Sequence, residues 1–215
     1  MTPPSSMASK ASPRHRSQRT GLIEQDTRNS TALIVLDMIS CWQFPDAEKL
    51  VKQAASVAPS IARLRARCRH AGIPVIYAND NSGQWRSDFK HVVQESLESR
   101  GPGSEITRCL GPGPEDYFVL KPKHSAFFAT PLELLLDHLG TKRLIVTGVA
   151  ADQCVLGTAA DARMRDFEVV VPSDCIASLT LARTRSALAH LRVAMEVGTP
   201  ASRALRLQAS RRSSQ

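Results

Sequence analysis

The sequence predicts an α/β domain, a central parallel sheet of five or six strands with helices on both faces. Three observations predict it. Short apolar runs rich in Val, Ile and Leu alternate with stretches of helical periodicity. The runs are apolar throughout, as strands covered on both sides must be. The 215 residues suffice for one domain with a substantial core.

The elements follow in order. Residues 32–37 (Ala-Leu-Ile-Val-Leu-Asp) read as a strand ending in an acid, and 47–70 carry apolar positions at helical spacing. A second strand at 74–78 opens a long excursion, 79–114, with Trp85 and two Gly-Pro-Gly turns at 101–103 and 111–113. An excursion of that length predicts a helix plus a binding loop. Strands at 117–120, 143–149 and 167–171 alternate with helices at 131–139, 154–165 and 180–193. A short sixth strand fits near 195–199. No internal repeat or domain boundary interrupts 21–200, so the expected organisation is a basic tail (1–20), one domain (21–200) and a second basic tail (201–215).

Charge placement limits the function classes. Lys10, Arg14, Arg16 and Arg19 stand without an acid in the first tail, as do Arg203, Arg206, Arg211 and Arg212 in the second. Those eight cations equal the whole net charge of +8, so the domain has no basic excess of the kind duplex binding requires. No apolar stretch reaches the ~20 residues of a membrane span. The five cysteines (41, 68, 109, 154, 175) are scattered, the nearest pair 21 positions apart, which excludes CxxC motifs and fits a reducing cytoplasm. No nucleotide fingerprint of the GxGxxG or GxxxxGK[ST] type is present.

In such sheets ligands bind beyond the carboxyl ends of the strands. There the sequence sets Asp37, Asn79-Asp80-Asn81, Lys121, Cys154 and Asp174. Cys154 lies between a strand and a helix, where the helix N-terminus favours a thiolate; alone, that stretch leaves a reactive and a structural cysteine equally open. Asp37, ending an apolar run, is a better base candidate than any histidine. His124 falls near a strand end but reads as a solvent-exposed or packing residue.

Three stretches, LIVLDM ending beside Asp37, LKPKHSAFFATPLELLL around Lys121 and LIVTGVAADQCVLGTAADA around Cys154, resemble the isochorismatase-like cysteine hydrolases in order and spacing. The resemblance spans about residues 30–196 and selects Lys121 over Lys123. It implies a Rossmann-like three-layer sandwich with strand order 3-2-1-4-5-6. It also implies an Asp37–Lys121–Cys154 catalytic triad, a cis peptide between Val149 and Ala150, and an oxyanion hole from the N–H groups of Ala150 and Cys154. The implied reaction is hydrolysis of a C–N bond in a small amide or ureide through a thioester, with Asp37 also activating the water. Nicotinamidases of the superfamily hold a metal through Asp-x-His and a further histidine. That spacing is missing here, and neither a metal nor another cofactor is expected. The expected substrate contacts are Trp42, Phe44, Asn79, Asn81, Trp85, Phe127 and Gln153, and homo-oligomerisation to a dimer or tetramer is usual for such hydrolases. Two alternatives stand beside this reading: vinyl ether hydrolysis of the isochorismatase type, and a catalytically idle binding or assembly subunit.

Overall fold

The computed structural model describes residues 31–81 and 88–207. The first tail, residues 21–30, Trp85 and most of the second tail lie outside the described residues. The parallel sheet contains β1 (Thr31–Leu36), β2 (Val75–Asp80), β3 (Tyr117–Lys121), β4 (Arg143–Val149), β5 (Glu168–Val170) and β6 (Ile176–Ala177). Its order is β3-β2-β1-β4-β5, with β6 also pairing β4.

β1 is the central strand. It pairs with β2 in the register Leu33↔Val75 and with β4 in the register Ala32↔Leu144, so both edges are hydrogen-bonded. Ala32 through Leu36 are fully buried, and the pleat sends them alternately to two cores. Leu33 and Val35 join the core beneath α1 (Ala47–His70), α2 (Phe89–Glu98) and α3 (Pro102–Leu110). Ala32, Ile34 and Leu36 join the core beneath α4 (Leu132–His138), α5 (Leu156–Met164) and α6 (Leu181–Val193). At ~1.5–3 kcal/mol for each fully buried Leu, Ile or Val, these two faces hold the layers together.

Helix α1 shows why periodicity predicted it well. From Val51 on, Ala54, Ala58, Ile61, Leu64 and Cys68 recur every three or four residues, and all of them, with Leu50, are buried. Its last turn is tied to the segment after α6, because Arg67 donates to the carbonyls of Ser202 (2.8 Å) and Leu205 (2.6 Å).

The structure revises four expectations. Among its described residues, the 79–114 excursion holds two helices, α2 and α3, in place of one. The region near 195–199 contributes only a bridge between Gly198 and Val170, and the sixth strand is Ile176–Ala177. The segment before α5 is a π-helical turn, Ala151–Val155, so Cys154 sits inside helical backbone. Finally, residues 201–207 belong with the domain: Leu205 is buried in the core, and Ser202–Ala204 form a 3₁₀ turn.

Candidate active site

Asp37, Lys121 and Cys154 come together beyond the carboxyl ends of β1, β3 and β4. Lys121 is the organiser, a lysine with 0 % exposure. Its ammonium lies 2.9 Å from Asp37 Oδ2 and donates to the Lys123 carbonyl (3.2 Å) and to Cys154 Sγ (3.4 Å). An ammonium has three protons, and these three acceptors match them. Asp80 Oδ2 lies 3.8 Å away and adds negative charge. Removing one member of such a buried pair leaves an uncompensated charge, at about 3–5 kcal/mol.

Asp37 is held by its backbone as well as by its charge. It adopts φ 52°, a left-handed conformation uncommon for aspartate, immediately after β1. Its own N–H still reaches the Ala78 carbonyl (3.1 Å), while Oδ1 accepts from the N–H of Asp80 (2.7 Å). Burial raises the proton affinity of its carboxyl; Lys121 and a hydrogen bond with Cys154 oppose that, and the net direction is upward. Burial likewise pulls the Lys121 ammonium down, but Asp37, Cys154 and Asp80 outweigh it and Lys121 stands above its ordinary value.

Cys154 departs from the sequence expectation of a stabilised thiolate. It is 7 % exposed, and burial together with the Asp37 carboxylate pushes the thiol up to about 12 against the opposing pull of Lys121. Burial and the neighbouring carboxylate thus favour the thiol over the thiolate at this position. Around it, the Val149–Ala150 peptide bond is cis. The Ala150 carbonyl accepts from the N–H of Gln153 (3.0 Å) and of Val155 (3.2 Å), on either side of the cysteine. The turn is clamped from outside by Asp152, whose N–H donates to Ser178 Oγ (3.2 Å) and whose carboxylate accepts from Ser178 and Arg183.

The sulfur opens onto a cleft of about 810 Å³, within the usual range for small-molecule sites. Trp42, Phe44, Asn79, Asn81 and Gln153 line it. Trp42 and Phe44 face each other with ring centroids 6.1 Å apart, and α2 adds Glu95 and Glu98 to the wall. Asn79 is nearly inaccessible, its Nδ2 given to the Ile39 carbonyl, so it shapes the cleft floor. Phe127 belongs elsewhere: it is buried in the core against Phe167 (5.9 Å) and beneath the Arg165 guanidinium (4.8 Å). Lys-x-x-x-Ser-Ala-Phe placed it close to Lys121 in sequence, but the loop turns its ring away from the cleft. Sequence reasoning undervalued His124, which lines the cleft with Nδ1 3.7 Å from Cys154 Sγ. Its signal was its place three residues after Lys121, in the same loop. Among the described residues, no group of three or more His, Cys, Asp or Glu side chains is arranged to hold a metal ion.

The structure thus shows a parallel α/β sheet carrying an acid, an ammonium and a thiol on one rim, and sequence comparison gives the family. The isochorismatase domain matches residues 31–202, and the chain belongs to that family. It is 42 % identical over 147 residues to the isochorismatase family protein YaaI of Bacillus subtilis strain 168, covering 68 % of this chain and 80 % of that one. It is 27 % identical to an N-carbamoylsarcosine amidase of an Arthrobacter species, over 69 % of this chain and 60 % of the relative's length. Among solved structures, an isochorismatase family protein of Desulfovibrio vulgaris superposes with a TM-score of 0.67 at 29 % identity, over 82 % of this chain and 96 % of that one.

Proposed function

We propose that this protein is a cysteine hydrolase that cleaves a C–N bond in a small amide or ureide through a thioester on Cys154. The observation that carries this reading is Lys121, fully buried and bridging Asp37 Oδ2 at 2.9 Å and Cys154 Sγ at 3.4 Å. A buried ammonium joined to a carboxylate and a thiol is costly as mere structure. It is useful where a thiol must lose its proton to a neighbouring carboxylate.

In the proposed sequence Sγ attacks the substrate carbonyl as Asp37 takes the thiol proton. The upward shift of the Asp37 carboxyl makes it a stronger acceptor, and then a competent acid for the departing nitrogen. Lys121 keeps the proton-transfer pair balanced in charge. The N–H groups of Ala150 and Cys154 receive the oxyanion. Release of ammonia or an amine leaves a thioester, and water then frees the acid. Trp42, Phe44, Asn81 and Gln153 hold the substrate from the cleft walls, while Trp85, in the segment outside the described residues, is assigned to specificity. Names among similar proteins support C–N chemistry: the Arthrobacter amidase above, and a solved N-carbamoylsarcosine amidase of Thermoplasma acidophilum that shares the fold (23 % identity, TM-score 0.62).

The test is ammonia release by the wild type and by Cys154→Ala across small carboxamides, ureides and carbamoyl compounds, without added metal. Release by the wild type alone is expected. Equal release by Cys154→Ala would sink the proposal.

A further inference from the structure

We infer that His124 is a second catalytic base in this site, serving the half-reaction in which water breaks the thioester; the inference rests on the cysteine-hydrolase reading. The sulfur is approached from two sides of unlike character. On the inner side, Asp37 is immobilised, with Oδ1 engaged by the Asp80 N–H at 2.7 Å and Oδ2 by Lys121 at 2.9 Å. Lys121 has no solvent exposure at all. On the outer side, exposed to solvent and lining the cleft, His124 places Nδ1 3.7 Å from Sγ. A hydrolytic water enters from the cleft, which Asp37 also lines, and there meets His124 as the more exposed of the two acceptors.

The fold holds this histidine to the nucleophile's helix. The Ala126 N–H donates 3.0 Å to the buried hydroxyl of Thr158 in α5, one turn beyond Cys154. Gly157 brings the same helix close to the loop: a Cβ there would lie 3.8 Å from His124 Cβ and 3.7 Å from the Ser125 nitrogen. The Ala126–Thr158 hydrogen bond and the close approach of Gly157 hold the loop that carries this histidine against α5.

The step balances as follows. Water attacks the acyl carbon while His124 Nδ1, an acceptor in the tautomer that carries its proton on Nε2, takes one water proton. The new C–O bond forms a tetrahedral adduct, which collapses with cleavage of the C–S bond and return of the electron pair to Sγ. The imidazolium gives its proton to Sγ and restores the thiol. The acid leaves with the water's second proton. This return of the proton fits a sulfur whose proton affinity burial and Asp37 raise.

The experiment uses p-nitrophenyl acetate, an activated ester that acylates a reactive thiol whatever its natural substrate, with Cys154→Ala as background. In the wild type, a p-nitrophenolate burst measures acylation and the steady state measures thioester breakdown. For His124→Gln the expected result is an unchanged burst and a steady state slower by about 10²-fold, with acetylated Cys154 accumulating in intact-protein mass spectra. His124→Gly should behave alike and recover turnover when imidazole is added, a rescue that a structural role would not give. An unchanged steady state in both variants overturns the inference, as does an equal fall of burst and steady state without an accumulating adduct. A wild type that releases p-nitrophenolate no faster than Cys154→Ala instead overturns the hydrolase reading beneath it.

Discussion

Two segments of this chain look alike in sequence and end in different surroundings. Ala151-Asp-Gln-Cys154 follows β4, and Pro172-Ser-Asp-Cys175 follows β5; each carries an aspartate one or two residues before a cysteine. In both the aspartate anchors a serine hydroxyl, Asp152 with Ser178 and Asp174 with Ser202. Burial pushes both thiols up to about 12. Proton affinity therefore does not separate them. Their neighbours do. Cys154 faces a cleft, with Lys121 at 3.4 Å and His124 at 3.7 Å. Cys175 is fully buried in the core, and its carbonyl accepts from the Gly148 N–H at 2.9 Å. Cys175 also has a carboxylate beside its sulfur, Asp174 Oδ1 at 3.8 Å, so what separates the two thiols is access to the cleft and the Lys121 ammonium.

The sharpest way to break this comparison is paired substitution. Cys154→Ser should lower amide turnover by on the order of 10⁴-fold or more, whereas Cys175→Ser should stay within about 3-fold at a temperature where it remains folded. Comparable losses from both, measured by ammonia release, would end the distinction. Next in size is alkylation. Iodoacetamide should modify Cys154 in the native protein at least ~10²-fold faster than Cys175, read by peptide mapping, and at similar rates in urea.

The Gly148 position tests how the two segments meet. It has φ +111°, and a Cβ there would stand 2.1 Å from the Leu36 carbonyl oxygen and 2.7 Å from the Leu36 nitrogen. Both neighbours are backbone of the central strand and cannot move aside. Gly148→Ala should destabilise the domain by roughly 3 kcal/mol, seen as a lower urea midpoint with an unchanged slope.

The smallest effect concerns pH. Burial pushes the Asp152 carboxyl up, but hydrogen bonds from Ser178 and Arg183 outweigh it and hold it below the ordinary carboxylate range. Asp174 is likewise lowered overall, by the hydroxyl and N–H of Ser202 acting against burial. A depressed carboxyl stabilises fully above the unfolded value of about 4 and loses that contribution as pH falls through the folded value. Asp152→Asn and Asp174→Asn should therefore lower the urea midpoint at pH 7 and converge with the wild type in stronger acid. Only Asp152→Asn should also slow alkylation or turnover at Cys154, by a few-fold, because Asp152 clamps the turn that carries the sulfur.

Much of the fold was legible because its signals are local. The run Leu33-Ile-Val-Leu36 could be placed as a buried strand since every residue is apolar, and α1 since its apolar positions repeat with the helical turn. The sixth strand was misplaced because two residues, Ile176 and Ala177, are too few to show any period. The two helices of the 79–114 excursion were under-read because their buried positions include Ser96, Ser104 and Thr107, which carry no apolar signal.

By itself, then, the sequence determined the layer architecture, the parallel sheet and the positions at strand ends where chemistry can gather. These follow from apolar periodicity and from the rule that ligands meet such sheets at the carboxyl edge. Tertiary structure alone decided that Lys121 is sealed from solvent between Asp37 and Cys154, and that His124 reaches the sulfur from the cleft. It also decided that Phe127 packs inward and that Cys175 is sealed in the core. Those outcomes depend on distances between residues 30 to 120 positions apart in the chain. Sequence spacing does not encode such distances; the packing of helices across the sheet sets them.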